Sequence, residues 1–101
     1  MKNLKVQNLT VIEIATTAIN FIEENEPSNK KYDNIANNEK IQDILFYLKK
    51  EALENCSTLK ERADIIDLCR NIGIYIESMY KYRKNSTKRT VELIKDSLKY
   101  L

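Results

Sequence analysis

The chain has 101 residues, 43% of them hydrophobic and 32% charged, with a formal net charge of +2. That length suits one domain around one continuous core, and with no apolar run near the roughly 18 to 20 residues that cross a bilayer, a membrane-spanning class is excluded. A charge so near balance also excludes a generally basic nucleic-acid binder recognisable from its pI, and one Gly with one Pro leaves little turn chemistry for a sheet protein.

The start of the chain, Met1-Lys2-Asn3-Leu4-Lys5, is basic, but the following stretch is interrupted by Asn8, Thr10 and Glu13 and shows no small-residue cleavage pattern, so a cytoplasmic protein is expected. Thr10 with Glu13 has the capping-box form and predicts a first helix over about 10–25. Val11, Ile14, Ala18 and Phe21, with a second row of Ile12, Ala15, Ile19 and Ile22, give the wide apolar stripe of a core-facing helix. Pro27 ends it. The polar run from Glu26 to Asn34 reads as a loop whose far end is held to the core by Tyr32 and Ile35.

Asn37 and Asn38 are good N-caps, and Ile41, Ile44, Leu45, Leu48 and Ala52 follow at helical spacing, predicting a second helix over 38–55. Thr58 with Glu61 is a second capping box. The third helix, over 59–81, carries Ile65, Cys69, Ile72, Ile76 and Met79 on one seam, flanked by Ile66, Leu68 and Tyr75. Gly73 lies beside that seam, where it costs about 1 kcal/mol relative to Ala; a close approach by a neighbouring helix accounts for it. Extending the seam beyond Met79 reaches Arg83, Ser86 and Thr90, whereas the apolar set is Val91, Ile94, Leu98 and Leu101. A straight helix would turn that set away from the core. A break near Asn85, with Asn85 or Ser86 as N-cap, therefore predicts a fourth helix over 87–100. The fold class expected is all-α, an antiparallel four-helix bundle in up-down-up-down order.

The sequence has no histidine, which removes the commonest general base and metal ligand; an enzyme is not expected, nor is a cofactor or metal. Asp64 and Asp67 share a helix face and read as solvated, with Ile65 and Ile66 turned to the core. Glu23, Glu24 and Glu26 oppose the dipole at the end of the first helix, which fits either a soluble helix end or an acidic recognition patch. Cys56 at a turn and Cys69 about ten residues along the next helix stand roughly 15 Å apart. That exceeds the ~7 Å disulfide limit, so both are expected reduced.

The segment Tyr80, Lys81, Tyr82, Arg83, Lys84, Ser86, Lys88 and Arg89 is the candidate binding site: five cations, no carboxylate, and interleaved tyrosines. Lys81, Arg83 and Lys84 suit the dipole at a helix C-terminus, whereas Lys88 and Arg89 sit in a first turn, where cations are disfavoured by about 0.3 to 1 kcal/mol each. Exposed N–H groups there, with the Ser86 and Thr87 hydroxyls, would suit a phosphate or carboxylate. A solvated loop, an acidic protein surface, anionic lipid headgroups and nucleic acid remain open. Tyr47, Tyr75, Tyr80, Tyr82 and Tyr100 also allow a helical oligomer.

Two stretches, Lys40-Ile41-Gln42-Asp43-Ile44-Leu45-Phe46-Tyr47-Leu48-Lys49 and Leu68-Cys69-Arg70-Asn71-Ile72-Gly73-Ile74-Tyr75-Ile76, together with the length and helix order, resemble the small immunity proteins that protect lactic-acid bacteria against their own pediocin-like bacteriocins. The resemblance implies a cytoplasmic, non-enzymatic antiparallel four-helix bundle. It implies as partner a bacteriocin engaged with its sugar-transporter receptor in the membrane, with specificity influenced by the C-terminal half. The alternative is a small phage- or plasmid-type regulator that binds a host protein or nucleic acid through residues 81–89.

Overall fold

The computed structural model describes residues 9–101; the stretch Met1 to Lys5, and the leader reading drawn from it, lie outside the described residues. Four α-helices follow in order, α1 (Leu9–Glu24), α2 (Lys31–Asn55), α3 (Leu59–Tyr80) and α4 (Thr87–Lys99). None of them is long and apolar enough to cross a membrane. α1 touches the other three helices, α2 packs on α3, and α3 on α4. Val11, Ile14, Ala18 and Ile22 of α1, Ile41 and Leu45 of α2, Ile65, Ile72, Ile76 and Met79 of α3, and Val91 and Ile94 of α4 all join one buried cluster. Each large aliphatic side chain sealed there contributes about 1.5–3 kcal/mol.

Helix starts separate the expectations that hold from those that do not. The Thr58 box forms in full: its hydroxyl accepts from Glu61 N–H at 3.1 Å, while Glu61 Oε1 accepts from Thr58 N–H at 3.1 Å and Ser57 N–H at 2.8 Å. Ser86 caps α4 by accepting from Arg89 N–H at 3.0 Å. The Thr10 box does not form, because α1 already includes Leu9 and places Thr10 inside the helix. The second helix begins at Lys31, not at residue 38, so Asn37 and Asn38 are interior and half of the supposed loop is helical. Lys30, its N-cap, offers no side-chain bond. Asn34 acts instead from inside the helix: its Oδ1 accepts from Ser28 N–H at 2.9 Å and its Nδ2 donates to the Ser28 carbonyl at 2.8 Å. Buried at 4% exposure, that amide fastens the connection. Tyr32 and Ile35 do not, being 86% and 40% exposed.

The break between α3 and α4 falls where the register demands it. Tyr82 N–H reaches back to the Glu77 carbonyl at 3.2 Å and Lys84 N–H to Ser78 at 2.9 Å, a widened final turn. Arg83 completes it in the left-handed region at φ 55°, which costs a non-glycine residue about 1–2 kcal/mol. Ile65 is buried as expected, but Ile66 is 39% exposed and Ile12 42%, each lying at the edge of its stripe.

Gly73 is explained by a side chain from α2. Gln42 Nε2 donates to the Gly73 carbonyl at 2.9 Å and to Asn38 Oδ1 at 3.3 Å, and a Cβ on Gly73 would stand 3.0 Å from Gln42 Oε1. Gly73→Ala is therefore expected to be near neutral: the gain of about 1 kcal/mol in helix propensity is offset by displacing a hydrogen bond of similar worth. In a Gln42→Ala background the same substitution should stabilise by about 1 kcal/mol. A double-mutant cycle of urea midpoints reads this coupling, and additivity would contradict it.

Both cysteines are free; Cys69 is buried and Cys56 half-buried. Burial pushes the Cys69 thiol from its ordinary 9.0 up to about 11, against a smaller opposing pull from Lys49, and burial likewise pushes the Tyr80 phenol from 10.0 to about 12. The unfolded chain ionises these groups first. Their contribution is therefore complete below pH 9 and is lost as pH rises through 9 to 11 for Cys69 and 10 to 12 for Tyr80. Thermal melts should show a midpoint that falls above pH 9, with a shallower fall between pH 9 and 11 in Cys69→Ala.

Candidate functional site

The basic segment is divided by the turn that carries it. Lys81 and Arg83 look onto a cleft of about 540 Å³, where the end of α3 meets the start of α2; Asn29, Lys31, Ile35 and Asn38 line its other wall, with Glu39 as the carboxylate there. Arg83 is held in place, since its Nη1 donates to the Ser28 carbonyl at 3.1 Å. Lys81 stands 5.4 Å from the Tyr82 ring centre and 3.8 Å from Glu77 Oε2. An exposed ion pair of that length contributes little and leaves the ammonium available. Lys84 is exposed, with its backbone N–H committed to Ser78.

The other members point elsewhere. Lys88 lines a groove between α1 and α4 together with Glu23, Glu26 and Lys95. Glu23 near the end of α1 and Lys88 in the first turn of α4, two of the residues opposing their helix dipoles, thus line the same groove. Arg89 reaches its own helix neighbour Glu92 at 3.3 Å. The Ser86 hydroxyl is occupied as the α4 cap. Of the five cations of the segment, Lys81 and Arg83 share a cleft with Lys31 at the start of α2, whereas Lys88 lies in the groove beside α1.

Tyr80 lines the same cleft, but as a buried part of its wall and not as an exposed group. Its side chain is 2% exposed and its hydroxyl donates to the Asn25 carbonyl just beyond α1. It stands four residues after Ile76 and next to Met79 on the core side of α3, so its ring closes the core while Tyr82 stays 54% exposed. The remaining tyrosines divide similarly, with Tyr47 at 71% and Tyr100 at 86% exposure and Tyr75 packed against the core.

No family model, curated protein or solved structure matches the chain significantly. The site must be read from its own chemistry. Asp64 is bound by Lys60 at 2.8 Å and Asp67 by Arg70 at 3.0 Å, so these carboxylates already hold cations of their own helix. Among the described residues no group of three His, Cys, Asp or Glu side chains is placed to hold a metal ion. The missed contributor is Lys31. It was hidden because residues 26–34 read as a polar loop; the signal for it was the spacing of Lys31, Ile35 and Asn38, which fall on one helix face.

Proposed function

We propose that this chain is a non-enzymatic, cytoplasmic binding protein of the bacteriocin-immunity type, folded as an antiparallel up-down-up-down bundle. In this reading the cleft bounded by Lys31, Lys81 and Arg83 engages an acidic surface of its protein partner. The short connections and the contacts of α1 with α2 and α4, and of α3 with its chain neighbours, support that helix order. The observation that carries the binding reading is the convergence of three cations, from the start of α2 and the turn after α3, around a cleft with Ile35 in its wall. One of them is fixed to the Ser28 carbonyl in a backbone conformation that most residues avoid. A compact cluster of this kind suits a carboxylate group on a protein better than the long phosphate track of a duplex. The two sequence stretches that resemble the immunity proteins supply the biological setting.

Expression in bacteriocin-sensitive bacteria tests the reading. The chain should raise resistance to a cognate pediocin-like peptide, and Lys81→Glu with Arg83→Glu should remove that protection while leaving the far-UV spectrum unchanged. Absence of protection across a broad peptide panel argues against the immunity role. Association with DNA or RNA that weakens steeply with salt would favour the regulator instead.

A further inference from the structure

Arg83 breaks a local rule without a return to the fold. Its φ of 55° lies in the left-handed region, which glycine enters freely and a residue with a side chain enters at a cost. Among the described residues its side chain makes one hydrogen bond, from Nη1 to the Ser28 carbonyl at 3.1 Å. That carbonyl already accepts from Asn34 Nδ2 at 2.8 Å, so the fold does not need Arg83 to satisfy it. Strain that nothing in the fold offsets points to a function for the strained residue.

The cleft around the guanidinium is short of anions. Among the described residues no carboxylate forms an ion pair with Arg83 or Lys31, whereas Lys81 has Glu77 at 3.8 Å. Glu39 stands in the wall with the three cations. Set against Glu39 and Glu77, those cations leave a single net positive charge, which a carboxylate balances and a phosphate of nearly two charges overshoots. The bond to Ser28 orients the guanidinium and uses one of its five N–H donors, so a parallel pair remains for the two oxygens of a carboxylate. Beside the cations, Ile35 is 40% exposed and the buried Tyr80 forms part of the wall. A cleft of about 540 Å³ falls within the range that encloses a small ligand, and admits a carboxylate together with an aliphatic side chain.

Resting on the reading above, we infer that the cleft takes a single carboxylate adjoining an aliphatic side chain, with Arg83 as the specificity-determining residue. The guanidinium holds both carboxylate oxygens, Lys31 adds charge from the α2 wall, and the aliphatic group lies on Ile35. The partner supplies that carboxylate from a chain terminus or from an acidic side chain.

Short acetylated peptides serve as probes. One has no acidic side chain and ends in a leucine with a free carboxylate; a second is the same peptide amidated at its end. A third is amidated and carries glutamate beside leucine, and a fourth has phosphoserine in place of that glutamate. Each is titrated into isotope-labelled protein while amide shifts are followed. The first or the third should bind and move the signals of Lys31, Ile35, Lys81 and Arg83 together, and the tighter of the two identifies the terminus or the side chain as the source. Arg83→Gly should hold or raise the thermal midpoint, because glycine relieves the turn and Ser28 keeps Asn34, while binding falls at least about tenfold. Arg83→Lys keeps the charge without the fork and should weaken binding several-fold; equal binding by this variant overturns the role of Arg83. The inference is also overturned if the phosphoserine peptide or the amidated leucine peptide binds as tightly as the carboxylate peptides, or if Arg83→Gly lowers the midpoint and leaves affinity unchanged. Absence of carboxylate binding up to about 10 mM peptide overturns it alone where Lys81→Glu with Arg83→Glu still removes protection in bacteria, since the acidic-surface reading then stands. It falls together with that reading where those substitutions leave protection intact.

Discussion

Tyr80→Ala should destabilise the chain by about 3–5 kcal/mol, the range for deleting a large aromatic from a packed interior. The ring is 2% exposed beside Met79 and Ile76, which are fully buried. For a domain whose whole stability is about 5–15 kcal/mol, that loss brings the chain close to unfolding at 37 °C. Tyr80→Phe isolates the hydroxyl. It keeps the packing and removes only the bond to the Asn25 carbonyl, at a cost of about 1 kcal/mol. Chemical denaturation of both variants gives the comparison. If Tyr80 were a surface binding residue, Ala would cost stability little and would chiefly impair recognition. A small loss of stability in Tyr80→Ala would therefore contradict its place in the core.

Much of the architecture was legible because apolar periodicity is a direct consequence of burial. The seam Ile65, Cys69, Ile72, Ile76 and Met79 is buried throughout, and the shift of phase from Met79 to Val91 located the turn that the structure places between Tyr80 and Thr87. Capping boxes were less dependable. The Thr58 and Thr10 pairs have the same pattern, but Thr58 is the N-cap of α3 whereas Thr10 lies within α1, and the local pattern alone does not separate them. The start of α2 was illegible for a different reason. Its first turns carry Lys31, Asp33, Asn34 and Asn37, a composition suited to a loop, and Asn34 there bonds back to Ser28, a contact that propensity does not register. The candidate site inherited that omission. Basic residues at 81–89 were visible as a run, but which of them converge depends on the turn direction set by Arg83 and on Lys31, a residue from a helix turn read as loop. Tyr80 and Tyr82, two apart, point to different faces; adjacency in sequence made them look like one feature.

The Asn34 clasp gives the second large effect. Asn34→Ala should cost about 2–3 kcal/mol, because it removes two hydrogen bonds and leaves the Ser28 N–H without the partner it now has. The Ser28 carbonyl is less exposed to the loss, since Arg83 Nη1 also donates to it at 3.1 Å. That shared acceptor makes the consequence larger than local stability. Ser28 ties three segments together: the connection after α1, the first turns of α2, and the turn between α3 and α4. Releasing it frees Arg83 from its position and lets the Lys31 end of α2 fray, so the cleft should lose its cationic convergence before the bundle unfolds. Hydrogen exchange should report faster opening at residues 31–35 in Asn34→Ala while the buried amides of Ile72 and Ile76 change only by the global loss. Asn34→Asp separates the two bonds, keeping an acceptor for Ser28 N–H but facing the Ser28 carbonyl with an oxygen; it should fall between Ala and the parent chain. Uniform acceleration of exchange across all four helices in Asn34→Ala would show that the clasp contributes only to overall stability and does not organise the cleft.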